Sequence, residues 1–279
     1  MKREKAQVYS WENCPVNVKA RVTKIVTFLR ESTGENFVGV YLHGSLAMGC
    51  FNPDISDIDL LAIVSPGLLL NQKKDIIGFL QQIDNSNAPP EISIVTKESL
   101  QNLVYPSPFD LHYSYSTRDV YTSGKISWEE QRFDTDLPAH YMAVRERGIC
   151  LDGKAINEVF PEIPKEMFMA SIVQDLNWIK QEINNLPYVY IVLNPCRALA
   201  YVNDIKFLSK QEGGMWALQH VPNRYSTMIE RALDAYSGAG MPPPGNSYPL
   251  LEFIDYAIKE FIYIASKTDA ENLFFKRSY

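Results

Sequence analysis

Sulfur and imidazole are scarce in this chain. Only Cys14, Cys50, Cys150 and Cys196 occur in 279 residues, none in a CxxC spacing, which suits reduced thiols better than a disulfide framework or a cysteine zinc site. The four histidines, His43, His112, His140 and His220, share no ligand-like spacing. They read as unrelated residues, not as a metal centre. No apolar run approaches the roughly 20 residues that span a bilayer, and the N-terminal "MKREKAQVYSWENCP" is basic but lacks the apolar segment of a signal peptide. A soluble, cytoplasmic protein with no membrane contact is the expectation. Positive charge is also in deficit, 27 Lys and Arg against 33 Asp and Glu for a net charge of −6. A protein that grips nucleic acid by neutralising phosphates needs the reverse balance, so a cationic small molecule is the better partner.

What is present is apolar and periodic. With 46% apolar residues the chain is long enough for one large domain or two ordinary ones. Val18, Val22, Ile25, Val26 and Leu29 recur at helical spacing in residues 16–31, and "STGENF" then breaks the pattern. "FVGVYLH" (37–43), "IDLLAIV" (58–64) and "EISIVT" (91–96) read as strands, with an amphipathic helix in "LLLNQKKDIIGFLQQI" between the last two. Alternation of this kind belongs to a sheet covered by helices. "DLPAHYMAVRERG" reads as a helix ending at Gly148, followed by "ICLDGK" as an exit turn. A proline-bearing stretch, "INEVFPEIPKE", suggests a boundary near residue 160, giving domains 1–160 and 161–279. Beyond it every long segment has helical periodicity, interrupted by the Gly/Pro-rich "SGAGMPPPGNS" (237–247), which reads as a surface connection. The fold class expected is α+β: an N-terminal α/β domain with a mixed sheet, then an all-α helical bundle.

The segment "LHGSLAMGCFNPDISDIDLLAIV" (42–64) carries the chemistry. In a strand, residues two apart share a face, so Asp57 and Asp59 would project their carboxylates side by side while Ile58 and Leu60 point into the core. Like charges held that close are tolerable around a divalent cation, and hard oxygen ligands suit Mg²⁺, which takes one or two carboxylates plus substrate phosphates. Gly44 permits a tight turn and close approach to a ligand, and Ser45 offers a hydroxyl to phosphate oxygens. A third carboxylate, Glu91, opens the strand "EISIV". If that strand lies beside "IDLLAIV", it reaches the same cleft as a metal ligand or as a proton acceptor.

These residues are where a family likeness enters. "HGS" followed by "SDIDLL" resembles the nucleotidyltransferase superfamily signature, and the chain resembles the bacterial aminoglycoside adenylyltransferases of the streptomycin/spectinomycin type. "EISIV" and "YIVLNPCRALAYVNDIKFLSKQEGGMWAL" extend the likeness over most of the chain. The resemblance implies a nucleotidyltransferase domain, a helical domain that clamps substrate and nucleotide, ATP and Mg²⁺ in the cleft between them, and AMP transfer to a drug hydroxyl with release of pyrophosphate. It implies further that Asp57 and Asp59 bind metal, that Glu91 is the base and a third metal ligand, and that Ser45 and Ser56 contact the nucleotide beside Gly44. Arg197, Lys210 and Tyr236 fall on positions used around the nucleotide, and Arg and Lys are the donors a triphosphate requires.

Recognition of a polyhydroxylated cation calls for carboxylates and aromatic faces. Trp178 and Glu182, four apart, would share a helix face at the family's drug-facing position, with Tyr115 and Tyr190 as further aromatic candidates. Relatives often carry a Gly-Glu-Trp stretch near Tyr115, absent here, and some carry His where Tyr190 stands. Sequence therefore leaves the drug and its hydroxyl open. Two other readings stand beside this one: a nucleotidyltransferase acting on a protein or RNA acceptor, and a non-catalytic nucleotide-binding protein. A monomer is expected.

Overall fold

A computed structural model describes residues 7–84, 87–124, 126–240 and 247–276. The basic residues 1–6 and most of the Gly/Pro-rich connection, 241–246, lie outside that range. The chain divides into a unit Val8–Ser171 and a unit built on Ile172–Tyr279. Pro161 and Pro164 mark the entry to a helix, Lys165–Gln181, and the division by packing falls inside that helix instead of at the prolines.

The first unit is a sheet of five strands with a separate two-stranded ribbon. Its strands are β1 (Phe37–Leu42), β2 (Ile58–Val64), β3 (Pro90–Thr96), β4 (Ser107–Phe109), β5 (Leu111–Tyr113), β6 (Arg132–Asp134) and β7 (Ile149–Gly153). The sheet order is β5-β3-β2-β1-β7, and β4 pairs with β6. It is mixed: β2 and β3 run parallel, while β1 is antiparallel to β2 and β7, and β5 antiparallel to β3. A parallel pair needs a crossover, and the amphipathic segment supplies it as a helix, Leu70–Ile83.

Helix α1 (Val16–Thr33) buries the periodic set Val18, Val22, Ile25, Val26 and Leu29. These pack with Ile76, Ile77 and Leu80 of the crossover against Val40, Leu42, Ile58, Leu60, Ala62, Ile92 and Ile94 of the sheet. Strand alternation turns the intervening residues to the other face. There Tyr41 meets Phe160 edge-on at 4.9 Å. The "ICLDGK" segment is not a turn but the edge strand β7, paired with β1 through Gly39↔Gly153 and Leu42↔Ile149.

After α2 (Gly44–Ala47), α3 (Leu70–Ile83), α4 (Lys97–Gln101), α5 (Arg118–Thr122), α6 (Leu137–Arg147) and α7 (Ile156–Val159), the described chain continues in helices alone: α8 (Lys165–Gln181), α9 (Tyr188–Asp204), α10 (Lys210–His220), α11 (Ser226–Tyr236) and α12 (Ser247–Lys276). In the second unit α9 is central, with α10, α11 and α12 against it. Its Ile191, Val192, Leu193, Cys196, Leu199 and Ala200 are all buried. Gly213 and Gly214 let α10 close on it: a Cβ at Gly213 would press on Arg197, and one at Gly214 on Leu193 and Leu233. Among the described residues no helix is long and apolar enough to cross a membrane.

Candidate active site

The parallel register of β2 and β3 sets Asp59 opposite Glu91. Partners on adjacent strands lie about 4.8 Å apart and share a face, so the two carboxyl groups stand side by side. Asp57 comes one residue before β2, exposed, while Ile58 and Leu60 are 0% and 1% exposed and anchor the strand from behind. Gly44 opens the short helix α2 with φ +64°, and a Cβ there would overlap the Asp59 carboxylate. Only glycine lets the turn lie against that side chain. The His43 amide donates to the Asp59 carbonyl at 3.0 Å, tying the turn to β2. Ser45 sits in α2, and its carbonyl accepts from the Cys50 amide at 3.0 Å. Ser56 is buried, its hydroxyl accepting from the Asn52 amide at 3.1 Å, which fixes the approach to Asp57.

Burial, reinforced by the charge of Asp59 and then of Asp57, pushes the Glu91 carboxyl up to about 7, with His140 opposing. This histidine was invisible in linear spacing. The His43 and His140 rings lie 4.9 Å apart, so these two are neighbours and not unrelated residues; strand β1 and helix α6 bring them together. Burial alone would lower the His140 imidazole, but its hydrogen bond to Asp136 and the charges of Asp136 and Glu91 raise it to about 10. The His140 Nε2 to Asp136 Oδ2 distance is 3.2 Å. Burial and the His140 charge hold His43 well below the ordinary range. On β5, His112 meets the Ser93 hydroxyl at 3.0 Å, and burial lowers it to about 4.

Among the described residues no three His, Cys, Asp or Glu side chains are gathered so as to hold a metal ion by themselves. Two carboxylates completed by phosphate oxygens are nonetheless the ordinary donor set of Mg²⁺. The like charges that raise Glu91 are what a divalent cation would relieve. Asp57 and Asp59 therefore fit that ion. Tyr115 is 64% exposed, with the Arg118 guanidinium 5.1 Å from its ring centroid.

In the second unit, Trp178 is 42% exposed on α8 and meets the Tyr190 ring of α9 at a right angle, 5.8 Å between centroids. The Lys210 ammonium lies 4.9 Å from the Tyr190 centroid. Lys210 is the first residue of α10, whose start is fixed by Ser209 and Glu212: the Ser209 hydroxyl accepts from the Glu212 amide at 3.2 Å, and Glu212 accepts in return from the Ser209 amide at 2.8 Å. Arg197 donates from Nε to the Leu208 carbonyl at 2.8 Å. Tyr236 is buried at the end of α11. Glu182 falls just beyond the end of α8, its amide bonded to the Trp178 carbonyl at 2.9 Å and its carboxylate accepting from Asn185 at 2.8 Å. The pattern reading missed Asp175, one turn before Trp178, which accepts from Tyr190 and Asn194. The spacing in "DLNW" was the available signal.

Residues 22–126 match the nucleotidyltransferase domain family, and residues 158–260 match the aminoglycoside adenylyltransferase C-terminal domain family. The chain is 24% identical over 263 residues to an aminoglycoside (3'') (9) adenylyltransferase of Klebsiella pneumoniae, covering 90% of this chain and 97% of that one. It is also 24% identical over 232 residues to a spectinomycin 9-adenylyltransferase of Staphylococcus aureus, covering 80% and 85%. The fold is similar to the crystal structure of spectinomycin adenyltransferase AAD(9) from Enterococcus faecialis with ATP and spectinomycin, at a TM-score of 0.76 and 20% identity, covering 87% of this chain and 98% of that one.

Proposed function

The chain belongs to the aminoglycoside adenylyltransferase family and is an enzyme of that class, and from this premise we propose that it transfers AMP from ATP to a hydroxyl of streptomycin, spectinomycin or both. The supporting observation is the Asp59–Glu91 rung, with Gly44 turned against it. The acceptor oxygen attacks the α-phosphorus in line, its bond to phosphorus forms as the bond to the β-phosphate oxygen breaks, and pyrophosphate leaves. Glu91 takes the hydroxyl proton, a role open to a carboxylate set beside Asp59 on the neighbouring strand. Asp57 and Asp59 would hold Mg²⁺, which when bound supplies charge neutralisation on the triphosphate. Ser45, next to Gly44 in α2, and Ser56 are the proposed hydroxyl contacts to the nucleotide, and Arg197 and Lys210 its proposed cationic donors. Trp178, Tyr190, Glu182 and Tyr115 are assigned to the acceptor, whose positive charges suit aromatic faces and carboxylates.

Pyrophosphate release tests this, with MgATP and a panel of streptomycin, spectinomycin, other aminoglycosides, RNA and protein. Release with an aminocyclitol drug and loss of it in Asp57→Asn is the expected result. Release with RNA or protein alone would move the acceptor to another class, and silence with every acceptor would leave a nucleotide-binding protein.

A further inference from the structure

We propose that Asp175 is a positioning residue for the acceptor: it locks Tyr190 so that the ring presents a preformed seat for a cationic group of the drug. The inference rests on the reading of Trp178 and Tyr190 as acceptor contacts.

The Tyr190 hydroxyl donates to Asp175 Oδ1 at 2.8 Å, and Asn194 Nδ2 donates to Asp175 Oδ2 at 3.1 Å. Tyr190 and Asn194 are four apart on α9 and share a face, as Asp175 and Trp178 do at three apart on α8. Two rows of side chains therefore meet: a carboxylate and an indole from one helix, a phenol and an amide from the other. Each oxygen of the Asp175 carboxylate accepts from α9, one from the phenol and the other from the amide. A phenol that donates to a carboxylate gains electron density in its ring, and a richer ring face attracts cations more strongly. The Lys210 ammonium, 4.9 Å from its centroid, shows that the ring accepts a cation, and the drug's cationic group would take the ring when Lys210 turns to the nucleotide. Trp178, edge-on at 5.8 Å and 90°, limits how the ring can turn. With the phenol tied at its tip and braced at its side, little side-chain freedom remains to be lost when a ligand arrives.

The test measures AMP transfer to streptomycin and spectinomycin by the full-length protein as wild type, Asp175→Asn, Tyr190→Phe and the double variant. Tyr190→Phe keeps the ring and its packing; Asp175→Asn keeps shape and loses charge. Each single variant should raise the acceptor KM about three- to fivefold, the scale of a cation–π contact at a partly exposed site, with kcat and the ATP KM within about twofold. The double variant should have an acceptor KM close to that of Tyr190→Phe alone, because the effect of Asp175 on the ring passes through the hydrogen bond the two share. Melting curves close to wild type show that folding is intact. Independent, multiplicative losses in the double variant, an unchanged acceptor KM in both singles, or a rise confined to the ATP KM would each overturn the proposal. Wild type silent on every drug would sink the proposed function and this inference with it; active wild type with indistinguishable variants would sink the inference alone.

Discussion

Asp59 and Glu91 face one another across two parallel strands, and the Asp59 charge makes that of Glu91 more costly. The consequence is measurable at Glu91 alone. Burial is the first reason its carboxyl stands at about 7 and Asp59 the second, so Asp59→Asn should lower it toward the ordinary glutamate value near 4.3. Carboxyl-selective NMR titration of the metal-free protein reads this directly, and a Glu91 that still titrates near its wild-type value would show that burial alone sets it. The same variant should lose transfer while remaining folded, because it removes a repulsion. Sequence offered this pair only on the condition that β3 lies beside β2, with the role of Glu91 coming from the family resemblance; the strand register meets that condition. His140 and Asp175 were not legible there: their roles depend on which helix comes to which neighbour, and no local spacing records that. The four histidines, dismissed on spacing, include two whose rings lie 4.9 Å apart.

At the scale of elements, the long helices and the three long strands were readable from apolar periodicity, and the short strands were not. β4, β5 and β6 have three residues each, too few for alternation to register. "ICLDG" ends in Asp-Gly, a turn signal in sequence, and pairing with β1 makes it the strand β7. Gly153 is where that pairing depends on a single residue. It has φ +99°, and a Cβ would run into the Val38 carbonyl and the Gly39 backbone, atoms that cannot swing aside. Gly153→Ala therefore combines a left-handed conformation with a backbone clash and should destabilise the protein by about 1–3 kcal/mol. Urea denaturation should show a lower midpoint at an unchanged slope. A loss below about 0.5 kcal/mol would mean that β7 shifts away from β1 at little cost and contributes little to the sheet.

For the molecule as a whole, the order of an α/β half and a helical half could be read from composition and periodicity, whereas the border at Ser171–Ile172 could not, since α8 carries one unbroken apolar pattern across it. Charge is the other property that belongs to the whole chain. A net charge of −6 creates a field that draws a polycationic acceptor and repels an anionic nucleotide, and it acts on encounter more than on chemistry. Raising ionic strength from about 0.01 M to about 0.15 M shortens the screening length from about 30 Å to about 8 Å. The kcat/KM for streptomycin should accordingly fall several-fold over that range with kcat unchanged, while kcat/KM for MgATP stays level or rises. Steady-state kinetics in KCl at constant Mg²⁺ separates the two substrates by the sign of the effect. If the acceptor's kcat/KM is flat across the range, recognition rests on contacts such as Trp178 and Tyr190 and owes nothing to the long-range field; if both substrates fall together, salt is acting on the protein rather than on either approach.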